Sequence, residues 1–419
     1  EAGSNDRAAT KERRREARRR RRKRKREARA DAPIKAWQRD WRAFRRRDAA
    51  TAHSESREPE EERVQSLKRM LRNDDLPGAL TAVKSILRKV RSARARIRAG
   101  KASSGMQQFV AGGPRRHVEA WIERDASPRI ATMVREGVRV EYMLGGTETI
   151  EAESLGGGLR TKRHHPGAYE HPEWLDDVVW EMLLLGVVEV CEKGRPPKIV
   201  SPINVVPKSG YPENPNKLRL IVDLRKWNEV LVKYKFKLET LQRSRALFFK
   251  NCWMLTYDLV SGYSAFELHE DDRECIGFQW GEWPDGSPLF FRYCTMVFGE
   301  SPAPYLFTEL MQVLAKHWRR LGCVCLQYID DFCFVTRTRA EAVELHGFLM
   351  KEFKAVGLAV SVKKSTMTAE GAAAPTQRAT VLGVEVDSRS MTFNIPTKRR
   401  KQIREGAGDL IAAAEAGRA

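Results

Sequence analysis

The sequence predicts an α+β fold, a split βαβ sheet covered on one side by helices. Three observations carry that prediction. The apolar strand-like segment Trp253 to Leu259 holds a single acid near its end. A long apolar helix follows Pro302-Ala303-Pro304 and leads into a hairpin built around Asp330-Asp331. A second helix then sets Ala342, Leu345, Leu349, Phe353 and Val356 on one face before Gly357, and a final hairpin follows.

At 419 residues the chain is long enough for two or more domains with sizeable cores. Its net charge of +21 is unevenly spread: residues 1–100 hold 33 Lys and Arg against 15 Asp and Glu, which leaves only +3 for the rest. The run Arg18 to Arg26 is continuous Lys and Arg. Such a block repels itself and cannot bury a core, so residues 1–105 read as a basic arm, disordered to helical. A polyanionic partner suits it, nucleic acid before membrane, either as an electrostatic clamp or as a nuclear import signal. Within the arm, residues 60–99 carry helically spaced apolar positions (Val64, Leu67, Met70, Leu71, then Leu80, Val83, Ile86, Leu87) and predict a helical pair. Residues 106–170, with Gly156-Gly157-Gly158 and His164-His165-Pro166-Gly167, read as a linker or irregular lead-in.

From His171 the texture becomes that of folded protein. Trp174 to Leu185 predicts a helix closed by Gly186. Ile203 to Val206 and Leu218 to Leu224 are strand-like, and Val381 to Val386 and Met391 to Ile395 make the last hairpin around a polar turn. The seven cysteines include no CxxC pair and sit mostly in apolar runs, which reads as small core hydrophobes in a reducing compartment. No apolar stretch approaches a membrane span, the first residues are charged rather than signal-like, and the start without Met suggests a fragment. The expected location is intracellular, nucleus and/or cytoplasm.

Two adjacent carboxylates between apolar strand segments, Tyr328-Ile329-Asp330-Asp331-Phe332, must lie at or near a hairpin tip. Burying them together is costly unless cations neutralise them. A third acid, Asp258, shares a strand face with Met254 and Thr256, while Trp253, Leu255, Tyr257 and Leu259 point the other way. If this strand lies beside the hairpin, the acids could hold two Mg²⁺ ions (Mn²⁺ as a substitute) roughly 3.5–4 Å apart. Carboxylates are the ligands a hard, phosphate-binding cation takes.

These residues resemble reverse transcriptases. Tyr328-Ile329-Asp330-Asp331 is similar to the family's YxDD signature, and Leu255 to Tyr263 to its preceding catalytic motif. Val297 to Phe307 resembles the FG…AP…F segment, and Ser201-Pro202…Val206-Pro207-Lys208 with Arg219 to Arg225…Asn228 resembles the fingers motifs. Gly357-Leu358…Lys364-Ser365 and Leu382-Gly383-Val384 resemble the last palm motifs. The resemblance runs over about residues 171–396 in family order. Within the family, Lys235 to Leu241 and Leu382 to Pro396 look most like retrotransposon enzymes of the DIRS group, gypsy next.

The resemblance implies a right-hand polymerase with fingers and a ferredoxin-like palm over residues 171–396. Residues 397–419 would start a truncated thumb. It implies metal binding and catalysis by Asp258, Asp330 and Asp331, with Asp331 the more peripheral. It implies nucleotide contacts from Lys208, Arg219, Tyr263 (a steric gate against the 2′-hydroxyl), Phe298, Gly299 and Lys364, and primer contact at Leu382 and Gly383. Arg219 shares its strand face with Ile221 and Asp223, which presents a guanidinium suited to a triphosphate. The partners implied are an RNA template, a DNA primer and dNTPs, with no membrane. An RNA-templated RNA polymerase is disfavoured by Tyr263 and by the lack of a Ser-Gly…Thr…Asn segment. The rival from another class is a catalytically inactive retroelement remnant that binds nucleic acid.

Overall fold

Short helices open the described part of the chain, which in this computed structural model comprises residues 109, 111–156, 163–208, 217–283 and 285–415. Helix α1 (Val118–Glu123) buries Val118 and Trp121. Helix α2 (Pro128–Glu136) starts at Ser127, whose hydroxyl accepts from the Ile130 N–H at 3.4 Å, and buries Ile130, Ala131, Met133 and Val134. After α3 (Gly146–Gly156) and α4 (Pro166–Glu170), helix α5 (Pro172–Leu185) ends at Gly186, whose φ of 75° is a conformation that only glycine adopts without strain.

Strand β1 (Val188–Val190) is followed by the hairpin of β2 (Ile203–Pro207) and β3 (Leu218–Val222), then by helix α6 (Arg225–Val230). Strand β4 (Trp253–Asp258) precedes β5 (Gly277–Glu282) and β6 (Pro288–Tyr293), which join β1 in a sheet of order β1-β6-β5. Helix α7 (Ala303–Arg320) leads to β7 (Val324–Tyr328) and β8 (Asp331–Thr336). Helix α8 (Arg339–Ala355) starts with a capping box between Thr338 and Glu341. Strands β9 (Arg378–Val381), β10 (Val384–Asp387) and β11 (Thr392–Asn394) form a small antiparallel sheet, and helix α9 (Thr397–Glu415) closes the described chain.

The central sheet has the order β4-β8-β7, so β8 splits the β4-α7-β7 crossover and the fold is α+β. Period-two alternation divides its side chains between two cores. Leu255, Tyr257, Phe332 and Phe334 pack with Trp318 of α7 and Phe353 of α8 in the main cluster. On the opposite face Met254, Leu326, Cys333 and Val335 meet Ala379, Val381 and Val386. Helices cover one face as expected, and the β9–β11 sheet covers the other. Beyond β4, among the described residues, the sheet is extended by isolated bridges, Leu259 with Val360 and Met254 with Thr376.

Two expectations need correction. The lead-in is no linker over residues 111–156: Trp121, Ile130 and Val134 belong to the same main core as the central sheet. The Trp121 indole donates to the Val356 carbonyl (3.1 Å), and Arg124 makes a bidentate pair with Glu352 (2.9 and 2.6 Å), both side chains buried. The Trp318 indole also donates to Glu352 (3.1 Å). Helices this short leave too few turns for a periodic apolar pattern to emerge. Similarly, the last hairpin keeps its expected partner, Val384 to Asp387 pairing with Thr392 to Asn394, but starts later than expected: Leu382 and Gly383 take φ of 48° and 76° and form a turn in which Val381 pairs with Val384.

All seven cysteines are buried free thiols. Among the described residues no helix is long and apolar enough to cross a membrane. The basic arm, including the helical pair expected at 60–99, lies outside the described residues.

Candidate active site

The β4–β8 register sets Asp258 directly opposite Asp331, and Tyr328 pairs with Asp331 across the β7–β8 hairpin. Ile329 and Asp330 are therefore the two-residue loop. Ile329 takes φ of 53°, a strained conformation for a β-branched residue that costs on the order of 1–3 kcal/mol. The Gln327 side-chain amide holds it by donating to the Ile329 carbonyl at 2.9 Å. Gly262 supplies the clearance: a Cβ there would lie 3.0 Å from the Phe307 ring and 3.3 Å from the Asp330 Cβ.

Electrostatically the three acids act on one another. Burial raises the Asp330 pKa above the ordinary carboxylate range, and repulsion from Asp258 adds to it. Asp331 is pushed up to about 6 by burial, then by Asp330 and Asp258. The Lys364 ammonium opposes both rises and bonds both Asp258 oxygens, at 3.0 and 3.2 Å. Among the described residues no three His, Cys, Asp or Glu side chains converge as a finished metal cluster. The donor set nonetheless fits a hard divalent cation: a second positive charge would relieve the same repulsion that Lys364 relieves in part.

Strand β4 is an edge, and its outward groups are taken by the loop after α8. The Ser365 hydroxyl accepts from the Asp258 N–H (3.2 Å), the Thr366 hydroxyl accepts from the Thr256 N–H (2.8 Å), and the Ser361 N–H donates to the Asp258 carbonyl (2.8 Å). Tyr257, on the opposite face, is hydrogen-bonded to His346 (2.9 Å), whose other nitrogen reaches the Gly371 carbonyl (3.1 Å). Sequence reasoning places Ser365 only in a palm motif and misses Thr366 and His346, since contacts about a hundred residues apart leave no local signal.

The remaining predicted residues divide into those gathered here and those apart. Lys208, just past β2, and Arg219, paired with Val206 on β3, share one end of that hairpin. Burial lowers the Lys208 pKa, and repulsion from Arg219 and Lys364 lowers it further. Tyr263 begins a single 3₁₀ turn, with its ring 5.0 Å from Phe307 and 6.0 Å from Phe298. Burial and the Asp330 charge push its phenol up to about 12. Phe298 stands 73% exposed beside Gly299, which has φ of 98°. Leu382 and Gly383 lie apart, at the tip of the β9–β10 hairpin, where a Cβ on Gly383 would meet Arg399 of α9 at 3.1 Å.

Residues 206–386 match the family described as "Reverse transcriptase (RNA-dependent DNA polymerase)". The Retrovirus-related Pol polyprotein from transposon gypsy of Drosophila melanogaster is 28% identical over 167 residues, 39% of this chain and 15% of that polyprotein. The corresponding polyprotein from transposon 297 of the same fly is 27% identical over 184 residues, 43% of this chain and 16% of that one. The Gag-Pol polyprotein of Koala retrovirus is 26% identical over 120 residues, 28% and 7% of the two chains. The matched stretches are thus a small fraction of each relative's length. A foamy viral protease-reverse transcriptase solved with double-stranded DNA is 17% identical, with a TM-score of 0.48 over 69% of this chain and 48% of that one. Another foamy viral structure of the same kind is 21% identical, with a TM-score of 0.47 over 58% and 45%.

Proposed function

Because residues 206–386 form a reverse transcriptase domain of the retrotransposon and retroviral kind, we propose that the chain is an RNA-directed DNA polymerase. In this reading it extends a DNA primer with dNTPs on an RNA or DNA template by two-metal-ion nucleotidyl transfer. The observation that carries the reading is the register of Asp258 opposite Asp331, with Asp330 in the loop between β7 and β8. Asp258, Asp330 and Asp331 would hold two Mg²⁺ or Mn²⁺ ions, which when bound activate the primer 3′-hydroxyl and stabilise the leaving pyrophosphate.

The chain's own residues do the rest. Lys208 and Arg219 bind triphosphate oxygens, Arg219 through a fork that matches phosphate geometry. Lys364 holds Asp258 in place and carries a proton suited to the leaving pyrophosphate. Tyr263 sets a planar ring against the sugar and excludes a 2′-hydroxyl, and Phe298 with Gly299 lines the incoming nucleotide. At the tip of its hairpin, the Leu382-Gly383 backbone approaches the primer. The Arg18 to Arg26 run suits work on nucleic acid inside the cell, nucleus and/or cytoplasm, which a fluorescent fusion would locate.

Primer extension on an annealed RNA template, with dNTPs and Mg²⁺, tests the reading. The parent should extend and Asp330→Asn should not, while both bind the template-primer equally. Equal extension by the two proteins would remove the metal assignment. No extension by either, with binding retained, would favour the inactive nucleic-acid-binding remnant.

A further inference from the structure

Glu300 is 1% exposed and stands in the segment that carries Phe298 and Gly299, yet no cation meets it among its hydrogen-bond partners. Its Oε1 accepts from the Trp227 indole N–H at 3.2 Å, and its Oε2 has no partner among the described residues. Trp227 is fully buried on α6, with the Tyr142 ring edge-on at 5.8 Å. The neighbouring Asn228 grips the same segment from both sides. Its amide donates to the Gly299 carbonyl (2.9 Å), and its carbonyl accepts from the Ser301 N–H (2.7 Å). Three hydrogen bonds thus run from two adjacent residues of α6 to three consecutive residues, 299–301.

A buried carboxyl is an expensive way to make one such bond, since an apolar side chain would fill the same space without a desolvation cost. What the carboxyl adds is direction. Gly299 at φ of 98° gives the segment a backbone with little intrinsic preference, and Phe298 beside it lacks the packing that fixes most aromatic rings. Phe298 contacts Tyr263 edge-on, so its position sets one wall of the space next to the catalytic acids.

We propose that Glu300 is a positioning residue for nucleotide binding, forming with Trp227 and Asn228 a latch that fixes the Phe298-Gly299 segment to helix α6. The role rests on the polymerase reading above, but the latch itself does not. Releasing it leaves the acids, the cations of the β2–β3 hairpin and Tyr263 where they are, and lets the nucleotide wall drift.

The experiment compares the full 419-residue chain with Glu300→Gln, Glu300→Leu and Trp227→Phe. Hydrogen exchange over residues 297–301 reads the latch without any turnover. Parent and Glu300→Gln should protect the segment equally, because the amide oxygen still accepts from the indole. Glu300→Leu and Trp227→Phe should exchange about tenfold faster, the equivalent of one unsatisfied buried hydrogen-bonding group. Equal exchange in all four proteins overturns the latch. In primer extension Glu300→Leu should raise the KM for dNTP about tenfold with kcat nearly unchanged, and Glu300→Gln should restore it. A fall in kcat with KM unchanged, or failure of Glu300→Gln to rescue, overturns the positioning role. A parent that does not extend primers sinks the polymerase reading alone, and the exchange measurement then decides the latch.

Discussion

Replacing Glu300 by glutamine exchanges a buried ionisable group for a neutral one of the same shape, and the consequence for stability depends on pH. Burial pushes the Glu300 carboxyl from its ordinary 4.5 up to about 7, and the Asp272 charge adds to the rise. The Trp227 indole favours the ionised form but does not outweigh burial. Asp272 itself accepts from Tyr142 (2.9 Å) and from the Val140 N–H (3.1 Å), so it brings no cation to Glu300. Below pH 4.5 the carboxyl is protonated in both folded and unfolded chains. Between 4.5 and about 7 the unfolded chain releases that proton while the folded chain keeps it, so stability falls as pH rises. At about 1.4 kcal/mol per pKa unit, the loss reaches about 3 kcal/mol and stays constant at higher pH. The Gln variant has no such proton. Urea unfolding of both proteins from pH 4 to 8.5 should show similar midpoints at the acid end, with the variant stabilised by about 3 kcal/mol at the alkaline end. Other groups titrate alike in both and cancel in the difference. A difference that does not change with pH would refute the argument, because it would mean that the carboxyl ionises in the fold as readily as outside it.

Three further outcomes follow from the geometry. Arg124→Met should destabilise the protein by about 3–5 kcal/mol, since it removes the bidentate partner of the buried Glu352 and leaves it only His317 (3.7 Å) and the Trp318 indole; restoration by a second change, Glu352→Leu, checks that the loss is electrostatic. Tyr263→Ala should raise ribonucleotide incorporation relative to deoxynucleotide in primer extension, and unchanged sugar selectivity would remove the gate assignment. Deleting residues 1–50 should flatten the dependence of log Kd for RNA on log salt, because each phosphate that the arm neutralises adds about 0.7 to the slope for a single strand; an unaltered slope would make the arm a bystander.

What the sequence displays well is chemistry out of place. Asp258 in an apolar strand and the Asp330-Asp331 pair between two more are violations of patterning, and the structure sets all three at one end of one sheet. The long helices α7 and α8 are equally legible, because four or more turns let apolar spacing accumulate. The first part of the lead-in is illegible because Gly112-Gly113 and the break at Asp125 cut it into helices of six and nine residues. The Leu382 turn is hidden because leucine is not a turn residue, and its φ of 48° is imposed by the pairing of β9 with β10. Glu300 escapes sequence reasoning for the opposite reason: in a polar stretch, Gly299-Glu300-Ser301, a charged residue looks solvated, and only the tertiary structure buries it.

The bridge from Arg124 to Glu352 also bears on heredity. Glu352 lies within residues 206–386, the stretch that matches the reverse transcriptase family, whereas Arg124 lies more than eighty residues ahead of it. An exchange of genetic segments with its break at the start of the shared stretch would hand the recipient a buried anion and none of the arginine that answers it. Within the exchanged stretch Glu352 would keep His317 (3.7 Å) and the Trp318 indole, so the chimaera is best served where the recipient's own upstream sequence brings a cation to that spot or Glu352 has become apolar. A segment that keeps the Arg124–Glu352 pair intact therefore reaches back at least to helix α1. Lineages that have swapped it elsewhere should show the position of Glu352 and that of Arg124 changing together.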